Sequence, residues 1–100
     1  MADAAAGAGW VLYLLECEGG STYAGITNDL KKRWDAHCTG RGARYTRMCP
    51  PLKVLAVEAH PDRSAASRAE WQLKRLSPDD KRRWAGEHAL DRARQAAFTR

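Results

Sequence analysis

One hundred residues, 44% of them apolar and four of them tryptophan, suffice for one domain with a modest core. No apolar run approaches the ~20 residues that span a bilayer, which excludes a helical membrane protein. Cys17, Cys38 and Cys49 show no CxxC spacing, which argues against a disulfide scaffold or a zinc knuckle and for a reducing cytoplasm.

The net charge of +5 is uneven along the chain. Residues 1–30 hold no Lys or Arg against Asp3, Glu16, Glu18 and Asp29. Residues 31–53 hold Lys31, Lys32, Arg33, Arg41, Arg44, Arg47 and Lys53 against Asp35 alone. A basic block of this kind favours a polyanionic partner through counterion release.

Residues 1–9 lack a basic start, so they are read as a disordered leader rather than a signal peptide. Trp10 to Cys17 and Ser21 to Ile26 are strand candidates separated by Glu18-Gly19-Gly20, a hairpin. A three-residue loop with a left-handed glycine places Leu15 opposite Tyr23 and Tyr13 opposite Gly25. Both tyrosines then share a face as diagonal neighbours roughly 7–8 Å apart, with open space above Gly25. A two-residue loop would send them to opposite faces.

Thr27 or Asn28 is expected to cap a helix starting at Asp29, with Leu30, Trp34 and Cys38 as its buried stripe. Arg33 and His37 form a parallel row, expected at the border of core and solvent. Thr39 to Pro51 contains Gly40, Gly42 and Pro50-Pro51 and is expected to be loop. It is also strongly basic, with Tyr45 among the arginines. Leu52 to Glu58 is the third strand candidate. Asp62 or Ser64 should cap a helix reaching about Leu76, with Ala66, Ala69, Leu73 and Leu76 on its apolar face. Ser77-Pro78-Asp79-Asp80 is a helix start, with an N-cap, proline at the first position and two acids, and that helix should run to about Gly86. Residues 87–100 form an Arg/Ala-rich tail, open to a further helix. No internal repeat or second domain is evident.

These residues suit phosphodiester chemistry. Glu70 is a hard oxygen donor able to hold one Mg²⁺ or Mn²⁺ with waters, and Arg33 offers a planar fork for a phosphate oxygen. A tyrosine base, with a free pKa of ~10, would need nearby positive charge to acidify it. His37 can bond a tyrosine or relay a proton. The plainer alternatives are core tyrosines and a capping box at Ser67-Arg68-Ala69-Glu70.

The order Tyr13, Tyr23-Ala24-Gly25, Arg33, His37 and Glu70 resembles the GIY-YIG nuclease superfamily. Gly40-Arg41-Gly42-Ala43-Arg44-Tyr45-Thr46-Arg47 and Leu73-Lys74-Arg75-Leu76-Ser77 resemble its small stand-alone bacterial branch. The resemblance covers roughly Trp10 to Trp84. It implies an α/β (α+β) fold, a three-stranded antiparallel sheet flanked by helices, in a domain over residues 10–86. It also implies a single divalent metal on Glu70, Tyr13 as base, and Tyr23, Arg33 and His37 around the phosphate. Val11 departs from the first glycine of the family name, Ala24 departs mildly in the second motif, and Ile26 stands where some relatives carry lysine. The functions implied are a metal-dependent endonuclease acting on DNA rather than RNA, in repair or processing of damaged or branched DNA, with a protein partner supplying specificity. The alternative is a nucleic-acid-binding module with weak or lost catalysis. In either case Lys31, Lys32, Arg41, Arg44, Tyr45 and Arg47 are the expected nucleic-acid contacts.

Overall fold

A computed structural model describes residues 9–100, so all of the expected leader except Gly9 lies outside the described residues. Three strands, β1 (Trp10–Cys17), β2 (Thr22–Thr27) and β3 (Pro51–His60), form an antiparallel sheet in the order β2-β1-β3. The central position of β1 accounts for its unbroken apolar run, because a strand covered on both faces has no side turned to water. Leu12 and Leu14 pack with Ala24 on one face, and Tyr13, Leu15 and Cys17 pack with Val54 on the other.

Glu18–Gly20 close the hairpin as a single tight turn. Gly19 and Gly20 stand at φ 85° and 87°, a conformation that a side chain disfavours, and the Cys17 amide donates to the Ser21 carbonyl at 2.8 Å. This is the three-residue loop, and its register follows: Leu15 pairs with Tyr23 and Tyr13 with Gly25.

Helix α1 (Leu30–Cys38) begins one residue later than expected. Asp29 is its cap, accepting from the Lys32 amide at 3.1 Å, while Thr27 Oγ1 accepts from the Asp29 amide at 3.0 Å. Leu30, Trp34 and Cys38 line the Tyr13–Leu15 face. A short helix α2 (Arg44–Met48) occupies the stretch expected to be loop. Five residues between Gly42 and Pro50 are too few to show a helical period.

Helix α3 (Arg63–Lys74) is capped by Asp62 and α4 (Pro78–Glu87) by Ser77. Leu73, Ala69, Leu76, Trp84 and Ala85 cover the Leu12–Leu14 face. Because α3 already begins at Arg63, Ser67 and Glu70 lie mid-helix and the capping-box reading falls.

The segment after α4, read from the sequence as a tail, holds α5 (Arg92–Ala97) and packs back on the sheet. β3 would otherwise present a bare edge. Instead the Val57 amide donates to the His88 carbonyl at 3.0 Å, the Val54 amide to Phe98 at 2.9 Å, and the Arg100 amide to Leu52 at 2.7 Å. The buried Phe98 ring meets Trp34 edge-on at 6.4 Å.

Candidate active site

The hairpin register sets the first element of the site. A Cβ built on Gly25 would stand 2.6 Å from Tyr13 Cζ, so the phenol fills the space that the missing side chain leaves. Tyr13 is 1% exposed, and its hydroxyl lies 2.8 Å from His37 Nε2. The imidazole sits between the two tyrosines, its centroid 5.8 Å from Tyr13 and 5.5 Å from Tyr23, each ring inclined at 65°. Tyr45, from α2, stacks on Tyr23 at 5.8 Å. His37 is 1% exposed, a core residue rather than the border residue expected.

The remaining ring nitrogen settles the proton order. His37 Nδ1 lies 2.8 Å from Thr46 Oγ1, and the Thr46 hydroxyl donates its one proton to the Ala43 carbonyl at 2.9 Å. Thr46 Oγ1 must therefore accept from His37 Nδ1–H. A neutral imidazole with its proton on Nδ1 has a lone pair at Nε2, so Tyr13 donates to His37. The resulting chain runs Tyr13 O–H to His37, His37 N–H to Thr46, Thr46 O–H to Ala43, every proton assigned by this network.

Burial, and secondly the Arg33 charge, lower the His37 pKa from 6.5 to about 4. Burial raises the Tyr13 phenol from 10 to about 12; Arg33 opposes this, while Tyr23 and Glu70 add to it. Against the Arg33 charge alone, burial of the phenol prevails. Both partners are neutral at ordinary pH.

A stability consequence follows. Between pH 6.5 and about 4 the unfolded chain binds a proton at His37 that the folded chain refuses. No penalty exists above that window, and stability falls as pH drops through it, by about 3 kcal/mol in all. Urea midpoints at pH 7 and pH 4.5 should show this loss. His37→Gln should lack that share of the slope, and an unchanged slope would contradict the buried neutral imidazole.

Glu70 comes from the middle of α3, its side chain 22% exposed, with Lys74 Nζ 2.7 Å from Oε2. That ammonium also lies 6.0 Å over the Tyr23 ring, and the Glu70 charge acts on Tyr13, so the carboxylate stands within electrostatic reach of the tyrosines although α3 covers the opposite, Leu12–Leu14 face. Among the described residues no cluster of three His, Cys, Asp or Glu could hold a metal ion. One partly exposed carboxylate, already engaged with a cation, still fits Mg²⁺ or Mn²⁺, which are commonly held by one or two carboxylates together with waters and substrate phosphate.

The site therefore gathers Tyr13, Tyr23, Arg33, His37 and Glu70, with Tyr45 at its edge. The basic residues spread more widely. Arg44 and Arg47 are exposed on α2 beside Tyr45, which is 39% exposed. Arg41 Nε donates to Thr39 Oγ1 at 3.0 Å. Lys31 pairs with Asp35 at 3.2 Å on the exposed side of α1, where Lys32 also lies, and neither joins the tyrosine cluster among the described contacts. Thr46 and Lys74 are site residues not expected from the sequence. Lys74 stands four residues after Glu70, a helical ion-pair spacing that marks it. Thr46 carries no such signal, since its partner is nine residues away across a loop.

The hairpin thus sets two phenols beside a buried imidazole, with a guanidinium and a carboxylate from two helices near them. The family model of the GIY-YIG catalytic domain matches residues 9–83, and the chain belongs to that family. It is 60% identical over 75 residues to a UPF0213 protein of Xanthomonas campestris pv. campestris, covering 75% of this chain and 74% of that one. A UPF0213 protein of Cupriavidus pinatubonensis is 51% identical over 72 residues, 72% of this chain and 80% of the relative. The solution NMR structure of a UPF0213 protein from Bacillus halodurans aligns with a TM-score of 0.53 at 35% identity, covering 82% of this chain and 87% of that one. Its likeness agrees with the three-stranded antiparallel sheet flanked by helices.

Proposed function

We propose that this protein is a divalent-metal-dependent endonuclease that hydrolyses phosphodiester bonds in DNA, including damaged or branched DNA, in the cytoplasm and with specificity supplied by a partner protein. The observation that carries the reading is the oriented proton chain from Tyr13 through His37 to Thr46, beside Arg33 and Glu70. Arg33 holds a non-bridging phosphate oxygen and offsets charge growing there. An attacking water gives its proton to Tyr13 Oη as Tyr13 passes its own proton to His37 Nε2. The new O–P bond forms, the P–O3′ bond breaks, the departing oxygen is protonated by solvent, and His37 then releases its extra proton to solvent through Tyr13, restoring the neutral pair. Mg²⁺ or Mn²⁺ held by Glu70 would supply Lewis-acid stabilisation of the phosphoryl and leaving oxygens. Tyr23 orients the group by its contact with His37.

A second reading has support in the Glu70–Lys74 pair. A carboxylate already satisfied by an ammonium is stable as structure, which suits a binding module with weak or lost catalysis. Incubation with nicked, branched and single-stranded DNA separates the two. Cutting should require Mn²⁺ or Mg²⁺, stop with chelator, and fall about 10²-fold in Glu70→Ala. Salt-sensitive binding without cleavage would leave the binding module; cutting that survives Glu70→Ala unchanged would remove the metal role.

A further inference from the structure

We infer that the outer surface of α3 is a stacking platform for an unpaired base of the strand whose phosphodiester lies at Glu70. This rests on the nucleic-acid reading above and names the substrate feature that site would select. Trp71 is 61% exposed, although an indole is among the costliest side chains to leave in water. It follows Glu70 directly in α3, on the flank of the helix that also carries Lys74, one turn further along. Arg75, one turn toward the C-terminus, lies over the ring at 4.4 Å. On the N-terminal side Ser67, Arg68, Trp71 and Gln72 line a shallow groove of about 350 Å³. Arg68 is tied along that side by its bond to Ser64 Oγ at 2.7 Å.

The indole is thus backed by one cation and borders an open slot with a second cation at its rim. The charge is complementary to a polyanion, and the ring supplies a flat surface that any base can cover. Bases inside a duplex have both faces occupied by their neighbours, so the platform accepts a base only where pairing is absent. Glu70 and Lys74 lie one step round the same helix, so a strand with its phosphate at Glu70 can lay the next unpaired base against Trp71.

Binding measured with Mg²⁺ in the slow-cleaving Tyr13→Phe background separates this from catalysis. Fluorescence anisotropy would compare a blunt duplex with the same duplex carrying a single-stranded extension. Trp71→Ala should weaken binding of the extended DNA about tenfold and leave the blunt duplex unchanged. Trp71→Phe should keep most of the affinity. Thermal melting of both variants checks the fold, which an exposed position should preserve. Equal weakening on both DNAs, or none on the extended one, would overturn the platform while leaving the nuclease reading intact. Absence of affinity for either DNA with Trp71 intact would overturn both.

Discussion

Tyr13→Phe should slow DNA cleavage by about 10²–10⁴-fold with affinity for DNA preserved. The phenylalanine ring fills the same space over Gly25, so the hairpin stays in place, while Arg33 loses its hydrogen bond to the phenol. On the proposed mechanism, what is lost is the oxygen that takes the water's proton and the hydrogen that moves to His37. Burial holds Tyr13 near pKa 12 and His37 near 4, so both are neutral at neutral pH. The His37 Nε2 lone pair also loses its partner in a buried place, which costs about 1–3 kcal/mol and should appear as a lower melting temperature. Single-turnover cleavage rates and a binding isotherm check both halves. A variant cutting at the wild-type rate would show that the proton leaves the water by another route.

Gly42→Ala is expected to damage the site almost as badly, from a residue with no chemistry of its own. A Cβ there would lie 2.9 Å from both His37 Cα and Cγ, and would press on Nδ1, the atom that donates to Thr46. The Cα belongs to the backbone of α1 and cannot swing aside as a flexible side chain would. The loop carrying Gly42 and the imidazole must move apart, with a cost of about 1–3 kcal/mol for the overpacking. Cleavage should fall toward that of a variant lacking the imidazole. Melting temperature together with cleavage rate tests it, and full retention of both would mean that the approach is looser than described.

The parts of this molecule that were legible in its sequence are those fixed by short-range chemistry. Glu18-Gly19-Gly20 set the loop length, the loop set the register, and the register put Tyr13 above Gly25. Asp62 and Ser77 marked helix starts because a cap bonds only to amides two or three positions ahead. What stayed hidden depends on contacts distant in the chain. The burial of His37 is decided by Tyr13, 24 residues away, and by a five-residue helix whose period cannot be seen. The direction of the Tyr13 shift was hidden for the same reason: positive charge is countable in a sequence, but the depth at which a phenol sits is not. Glu70 was legible as a residue type, whereas its pairing with Lys74 emerged once α3 was seen to run unbroken through both.

The strapping of residues 88–100 along β3 gives this small protein two different boundaries. The family model matches through residue 83, yet Phe98 is lodged against Trp34, on the same helix as His37. The last few amino acids therefore brace, from behind, the wall on which the imidazole is mounted. A version trimmed to the shared region would keep every residue assigned to the reaction and lose part of the buttress that holds one of them still.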